Sequence, residues 1–138
     1  MGNENTLKEV LEAMNFQIGK AKGTENKVAV ILRYLGMNTS ILGYTYIKEA
    51  ICMIYDNPDY LNNIVNGLYP DVAEKYGATP SRVERAIRHA AFTIMREEIS
   101  AEHRQIKFLV FGTIGQKKSI KNSEFLGGLV AFLRENDD

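Results

Sequence analysis

A single cysteine, Cys52, stands in a chain of 138 residues, so no intrachain disulfide can form. Only two histidines, His89 and His103, accompany it, too few soft ligands for a structural zinc site. No apolar run approaches the roughly 18 residues that a membrane-crossing helix needs, and the N-terminus lacks the apolar block of a secretory signal. These absences predict a cytoplasmic chain without metal, cofactor or membrane partner. Net charge is missing too: 17 Lys+Arg balance 17 Asp+Glu, which on its face argues against nucleic acid, since proteins that bind it usually carry a basic excess. Hairpin turn chemistry, internal repeats and low-complexity tracts are also absent. What is present is ordinary, with 45% apolar and 25% charged residues, a composition that forms a single packed core without covalent staples.

The zero net charge conceals a pattern. From Lys75 to Lys121 ten basic residues stand against four acids, a net of +6, and the rest of the chain carries the compensating −6. Five of the seven arginines fall between Arg82 and Arg104. A solvated helix face would account for such a run, so the motif beneath the charges decides its meaning.

Apolar periodicity is helical throughout. Leu7, Val10, Leu11, Met14 and Ile18 form one amphipathic stripe, and Gly19 and Gly23 bracket a polar, basic break. A second helix runs through Val28, Ile31, Leu32 and Leu35 to a stop at Gly36. A third covers Tyr46 to Tyr55. Asn57-Pro58-Asp59 has the cap, proline and acid of a helix start, with Asn66-Gly67 closing that short helix. Asn122-Ser123-Glu124 opens the last one, with Phe125, Leu126, Leu129, Phe132 and Leu133 inward. Gly127-Gly128 within it costs roughly 1 kcal/mol each relative to alanine and reads more simply as fraying than as a close crossing. The expected fold is all-α: about six helices containing a helix-turn-helix, plus an extra N-terminal amphipathic helix. The expected division is 1–24 as N-terminal helix and linker and 25–138 as the DNA-binding unit.

The segment from Tyr69 to Met95 carries the most information. Tyr69-Pro70-Asp71 starts a helix, Val72 and Tyr76 share its inner face, and Gly77 supplies the left-handed exit. Thr79-Pro80 restarts a helix after a turn of about three residues, which is the helix-turn-helix arrangement. In the second helix Val83, Ile87, Ala90 and Ile94 cluster within about 60° on a helical wheel and must face the core. Ser81, Arg85 and Arg88 then lie opposite, with Arg82 and His89 on one shoulder and Glu84 on the other. Guanidinium groups can bond guanine O6 and N7, and a carboxylate can accept from the cytosine amino group. An acid among arginines repels phosphates, so Glu84 points to base reading, unless it merely pairs with Arg88 at i, i+4. A helical protein-interaction module that has lost DNA binding is the alternative reading of the same pattern.

Leu68-Tyr69-Pro70-Asp71-Val72-Ala73-Glu74-Lys75-Tyr76 and Ser81-Arg82-Val83-Glu84-Arg85-Ala86-Ile87-Arg88-His89-Ala90 together strongly resemble the effector-domain family of stage-zero sporulation protein A. Gly43-Tyr44, Glu49-Ala50-Ile51, Phe111-Gly112 and Asn122-Ser123-Glu124-Phe125 extend the resemblance over roughly Val28 to Arg134. It implies a sporulation response-regulator effector domain with no catalysis, a transcription factor whose recognition helix, about residues 80–95, lies in the major groove. It further implies base contacts from Arg82, Glu84 and Arg85, and phosphate contacts from Ser81, Arg88, His89, Lys117, Lys118 and Lys121. The implied target is a TGTCGAA-type box in double-stranded DNA, bound in tandem copies by a homodimer. The RNA polymerase sigma factor is an implied partner near Ala101 to Phe111. The roughly 25 residues before Val28 cannot hold a receiver domain, so the chain is either a fragment or a stand-alone effector. The stripe from Leu7 to Ile18 favours the second.

The remaining signals are weaker. His103 beside Glu102 reads as a solvated surface residue. Gly112 to Ser119 lacks the spacing of a phosphate-binding loop and reads as a basic interhelical loop. Met1-Gly2-Asn3-Glu4-Asn5-Thr6 fits a myristoylation pattern by chance. Cys52 reads as a small core residue, and Phe92 as an outward-facing aromatic beyond the arginines.

Overall fold

A computed structural model describes residues 3–136, leaving the Met1-Gly2 of the acylation pattern outside the described residues. The apolar stripes become seven α-helices: α1 (Asn3–Lys20), α2 (Thr24–Tyr34), α3 (Leu42–Asp56), α4 (Tyr69–Tyr76), α5 (Pro80–Arg96), α6 (Ala101–Phe111) and α7 (Asn122–Asn136). No strand occurs among the described residues. The stop of α2 has a visible cause. Gly36 takes φ +82° after α2, where its N–H donates to Arg33 O and that of Met37 to Leu32 O, so the last carbonyls of the helix are satisfied.

Helix α3 is the hub. Seven of its residues, Gly43, Tyr44, Tyr46, Ile47, Ala50, Ile51 and Ile54, are buried, and it packs against α2, α4, α5 and α7. Gly43 makes one of these crossings close: a Cβ there would stand 2.6 Å from Ala86 O and 2.9 Å from Ala90 Cβ of α5. Helix α1 lies across α2 and α6, placing Val10, Met14 and Ile18 in the same core as Val28, Ile31 and Leu32. Side chains on both sides of residue 24 thus share one apolar interior.

Three local expectations change. The short helix expected from Pro58 to Gly67 is split into a 3-10 turn, Pro58–Asn62, and a π turn, Ile64–Leu68, that runs directly into α4. Asn57 caps the first turn by accepting from Asp59 N, but Asn66-Gly67 does not close anything. Tyr76 is exposed rather than inward; its ring leans on Tyr46 with centroids 5.7 Å apart, and its hydroxyl donates to Glu49. Gly128 is a close crossing and not a frayed site, since a Cβ would meet Phe111 Cδ1 at 2.8 Å.

Cys52 is half-buried on α3, and burial, with Glu49 second, pushes its thiol up to about 11. Only the thiolate is nucleophilic, so at pH 8 its alkylation should run about two orders of magnitude slower than that of a free cysteine. Iodoacetamide labelling followed by mass spectrometry checks this, with the normal rate restored in denaturant.

Candidate nucleic-acid interface

Helices α4 and α5 meet through a turn whose backbone leaves little freedom. Gly77 sits at φ 63°, ψ 33°, and the N–H of Ala78 donates to Ala73 O at 2.9 Å. The Thr79 side chain then accepts from Arg82 N at 3.2 Å, capping the start of α5. The inner stripe is the expected one: Val83, Ile87, Ala90 and Ile94 are buried, joined by Ala91 and Met95. Asn57, Thr79 and Gly77 therefore behave as local chemistry predicts, and the stripe orients α5 about its axis.

That orientation brings the expected contact residues of α5 onto one outer face. Ser81, Arg82, Arg85, Arg88 and His89 are exposed, and Glu84 is half-exposed beside them. Arg88 Nε donates to Glu84 Oε2 at 2.9 Å, and Arg88 Nη2 to Oε1 at 3.4 Å. Arg82 and Arg85 form no ion pair with a described residue, so their five-donor forks are free to meet an acceptor.

The late basic loop closes one side. Lys117, Lys118 and Lys121 are exposed, and their neighbours Ser119 and Ile120 join Arg85, Arg88, His89 and Phe92 around an open groove of about 500 Å³. Asn122 ties this loop down: its Nδ2 donates to Tyr69 Oη at 2.9 Å and to Glu84 O at 3.2 Å. One amide thus fixes the start of α7 against both α4 and α5. Sequence reading finds Asn122 only as the start of a helix, because its bonding partners lie 53 and 38 residues away.

Two basic positions are redirected. Lys107, counted in the basic segment, is 2% exposed and donates from Nζ to Met95 O at 3.2 Å and Glu97 O at 2.9 Å. It satisfies the terminal carbonyls of α5, and desolvation lowers its pKa from the ordinary lysine value. His103 is likewise buried, not a solvated surface residue. Its Nε2 lies 2.8 Å from Leu35 O, and because a carbonyl can only accept, the proton sits on Nε2. Both residues pin α6 to its neighbours, a structural use of polar groups that periodicity does not reveal. Gly112–Gln116 forms a 3-10 turn packed on the backbone of Lys107, an interhelical connection of the kind expected.

A family model described as sporulation initiation factor Spo0A C terminal matches residues 28–133. The chain belongs to that family. The Spo0A C-terminal family consists of DNA-binding effector domains of transcriptional regulators acting in sporulation, and it is not a family of enzymes. The match begins within α2 and ends within α7, so α4, α5 and the late loop all fall inside it. No helix among the described residues is long and apolar enough to cross a membrane. No cluster of three metal-ligating side chains occurs among them either.

Proposed function

We propose that the chain regulates transcription by sequence-specific binding of double-stranded DNA, with the N-terminal half of α5 in the major groove. The observation that carries this reading is the outer face of α5, where Arg85 stands opposite the buried stripe and Arg82 on its shoulder, both exposed and without an ion-pair partner among the described residues. Arg82 and Arg85 would read guanine, and Glu84 would read the cytosine amino group. The Glu84–Arg88 pair does not stand in the way. An exposed i, i+4 pair is worth about 0.3–0.5 kcal/mol, against about 1–3 kcal/mol of discrimination for a good base contact. Ser81, Arg88, His89, Lys117, Lys118 and Lys121 would hold phosphates and set the register.

The target proposed is a TGTCGAA-type box in tandem copies, occupied by a homodimer. Helix α6 is the proposed contact for the RNA polymerase sigma factor. Ala101, Arg104 and Phe108 lie exposed on its outward side, in helical register, while Ile106 and Val110 face the core. An aromatic beside an arginine on an open face is the composition of protein-contact hot spots.

Titrating a duplex carrying the box against a scrambled duplex at two salt concentrations tests the reading. Tighter binding to the box at both salts is expected, and equal, weak binding to both duplexes would overturn it. Within the same assay Lys118→Ala should weaken all sequences alike and shallow the slope of log K against log salt by about one unit, because it removes one phosphate contact and its released counterion.

A further inference from the structure

The groove beside α5 has an apolar floor that base reading and phosphate neutralisation leave unexplained. Phe92 is 42% exposed, and the Arg96 guanidinium carbon lies 5.6 Å from its ring centroid, so the ring stands open to solvent beside a cation. Ile120 joins it from the loop wall, with Arg85, Arg88 and His89 alongside. Ten residues separate Arg82 from Phe92, which is about 15 Å along a helix. The major groove is roughly 12 Å wide and 8.5 Å deep. A helix whose N-terminal half reads base edges therefore carries Phe92 at the rim, where a sugar–phosphate strand passes. The loop wall is held in place by Asn122, so the groove exists before any ligand arrives.

We propose that this groove seats the sugar–phosphate strand flanking the box, with Phe92 and Ile120 packed against deoxyribose faces while Arg88 and His89 meet its phosphates. The chemistry of the occupant matches the lining, because a DNA strand alternates apolar sugar surfaces with anionic phosphates, and the groove sets apolar side chains among cationic and hydrogen-bonding ones. The inference rests on the placement of α5 proposed above and extends it: the protein grips DNA beyond the bases it reads, adding uncharged contacts from Phe92 and Ile120 to the phosphate contacts.

Two duplexes test this, one ending at the box and one continuing a few base pairs beyond it on both sides, each bound by the full chain and by Phe92→Ala and Phe92→Leu. On the longer duplex Phe92→Ala should lose about tenfold in affinity, equivalent to about 1.4 kcal/mol, with the salt slope unchanged because no charge is removed. On the shorter duplex the loss should nearly vanish, and Phe92→Leu should keep most of the affinity on both. Equal losses on the two duplexes, no loss on either, or a shallower salt slope would overturn the proposal. A sugar contact is blind to sequence, so the same comparison works on scrambled duplexes. Failure of box preference alone would thus remove specificity but leave the flanking contact standing, whereas a wild-type chain that binds no duplex removes both.

Discussion

Arg85→Ala is expected to cost about 1–3 kcal/mol in binding to the box, and to cost far less on a scrambled duplex, so that the ratio between the two collapses. The reason is geometric. Arg85 lies on the exposed side of α5 between Ser81 and Arg88, one turn beyond the capped start of the helix, and it is not committed to an ion pair with any described residue. A guanidinium placed there can present two parallel donors to one base, and alanine presents none. Thermal stability should stay within about 0.5 kcal/mol of the parent, since an exposed side chain without partners contributes little to folding. Fluorescence anisotropy on both duplexes, with a melting curve as control, checks the prediction. An Arg85→Ala protein that weakened both duplexes alike, as Lys118→Ala should, would place Arg85 on phosphate and not on a base.

Gly43→Ala should destabilise the fold by about 2 kcal/mol and reduce DNA binding with it. The new Cβ would press on the Ala86 carbonyl oxygen and Ala90 Cβ, a backbone atom and the shortest of side chains, neither of which can rotate away. Overpacking of this kind costs about 1–3 kcal/mol, offset in part by the up to about 1 kcal/mol that alanine gains over glycine in a helix. Relief requires α5 to move away from α3, and α5 carries the proposed reading face, so affinity should fall along with stability. Gly127→Ala is the control. Its Cβ would meet only Leu61 methyl carbons, at 3.8 and 3.9 Å, so the helical gain should dominate and stability should rise slightly. Urea denaturation of the two variants measures the contrast, and a Gly43→Ala protein as stable as the parent would show that the α3–α5 crossing can relax.

The helix-turn-helix was legible because every signal in it is local. Thr79 bonds the backbone three residues on, Gly77 needs only its own missing Cβ, and Val83, Ile87, Ala90 and Ile94 recur at the period of the helix. The same locality explains the misreadings. Gly127-Gly128 looked like a weak helix because its propensity was visible and Phe111, the ring that needs the space at Gly128, was not. His103 looked solvated because its partner, Leu35 O, lies 68 residues earlier. Spacing from Val72 places Tyr76 in the core, but Tyr46 and Glu49 of α3 hold it at the surface.

The zero net charge shows the same division. By itself the sequence determined that the basic residues concentrate in one segment, that the chain folds as helices, and which side of α5 is apolar, since these follow from composition and from a period of 3.6 residues. Tertiary structure decided which of those charges are available. It buried Lys107 against the carbonyls at the end of α5 and left Arg82 and Arg85 without an ion-pair partner among the described residues. It also placed Asn122 so that the late loop stands beside α5 as the wall of a groove. Such outcomes depend on contacts between different helices, 10 to 53 positions apart in the chain, and packing brings those together only once the whole core has formed.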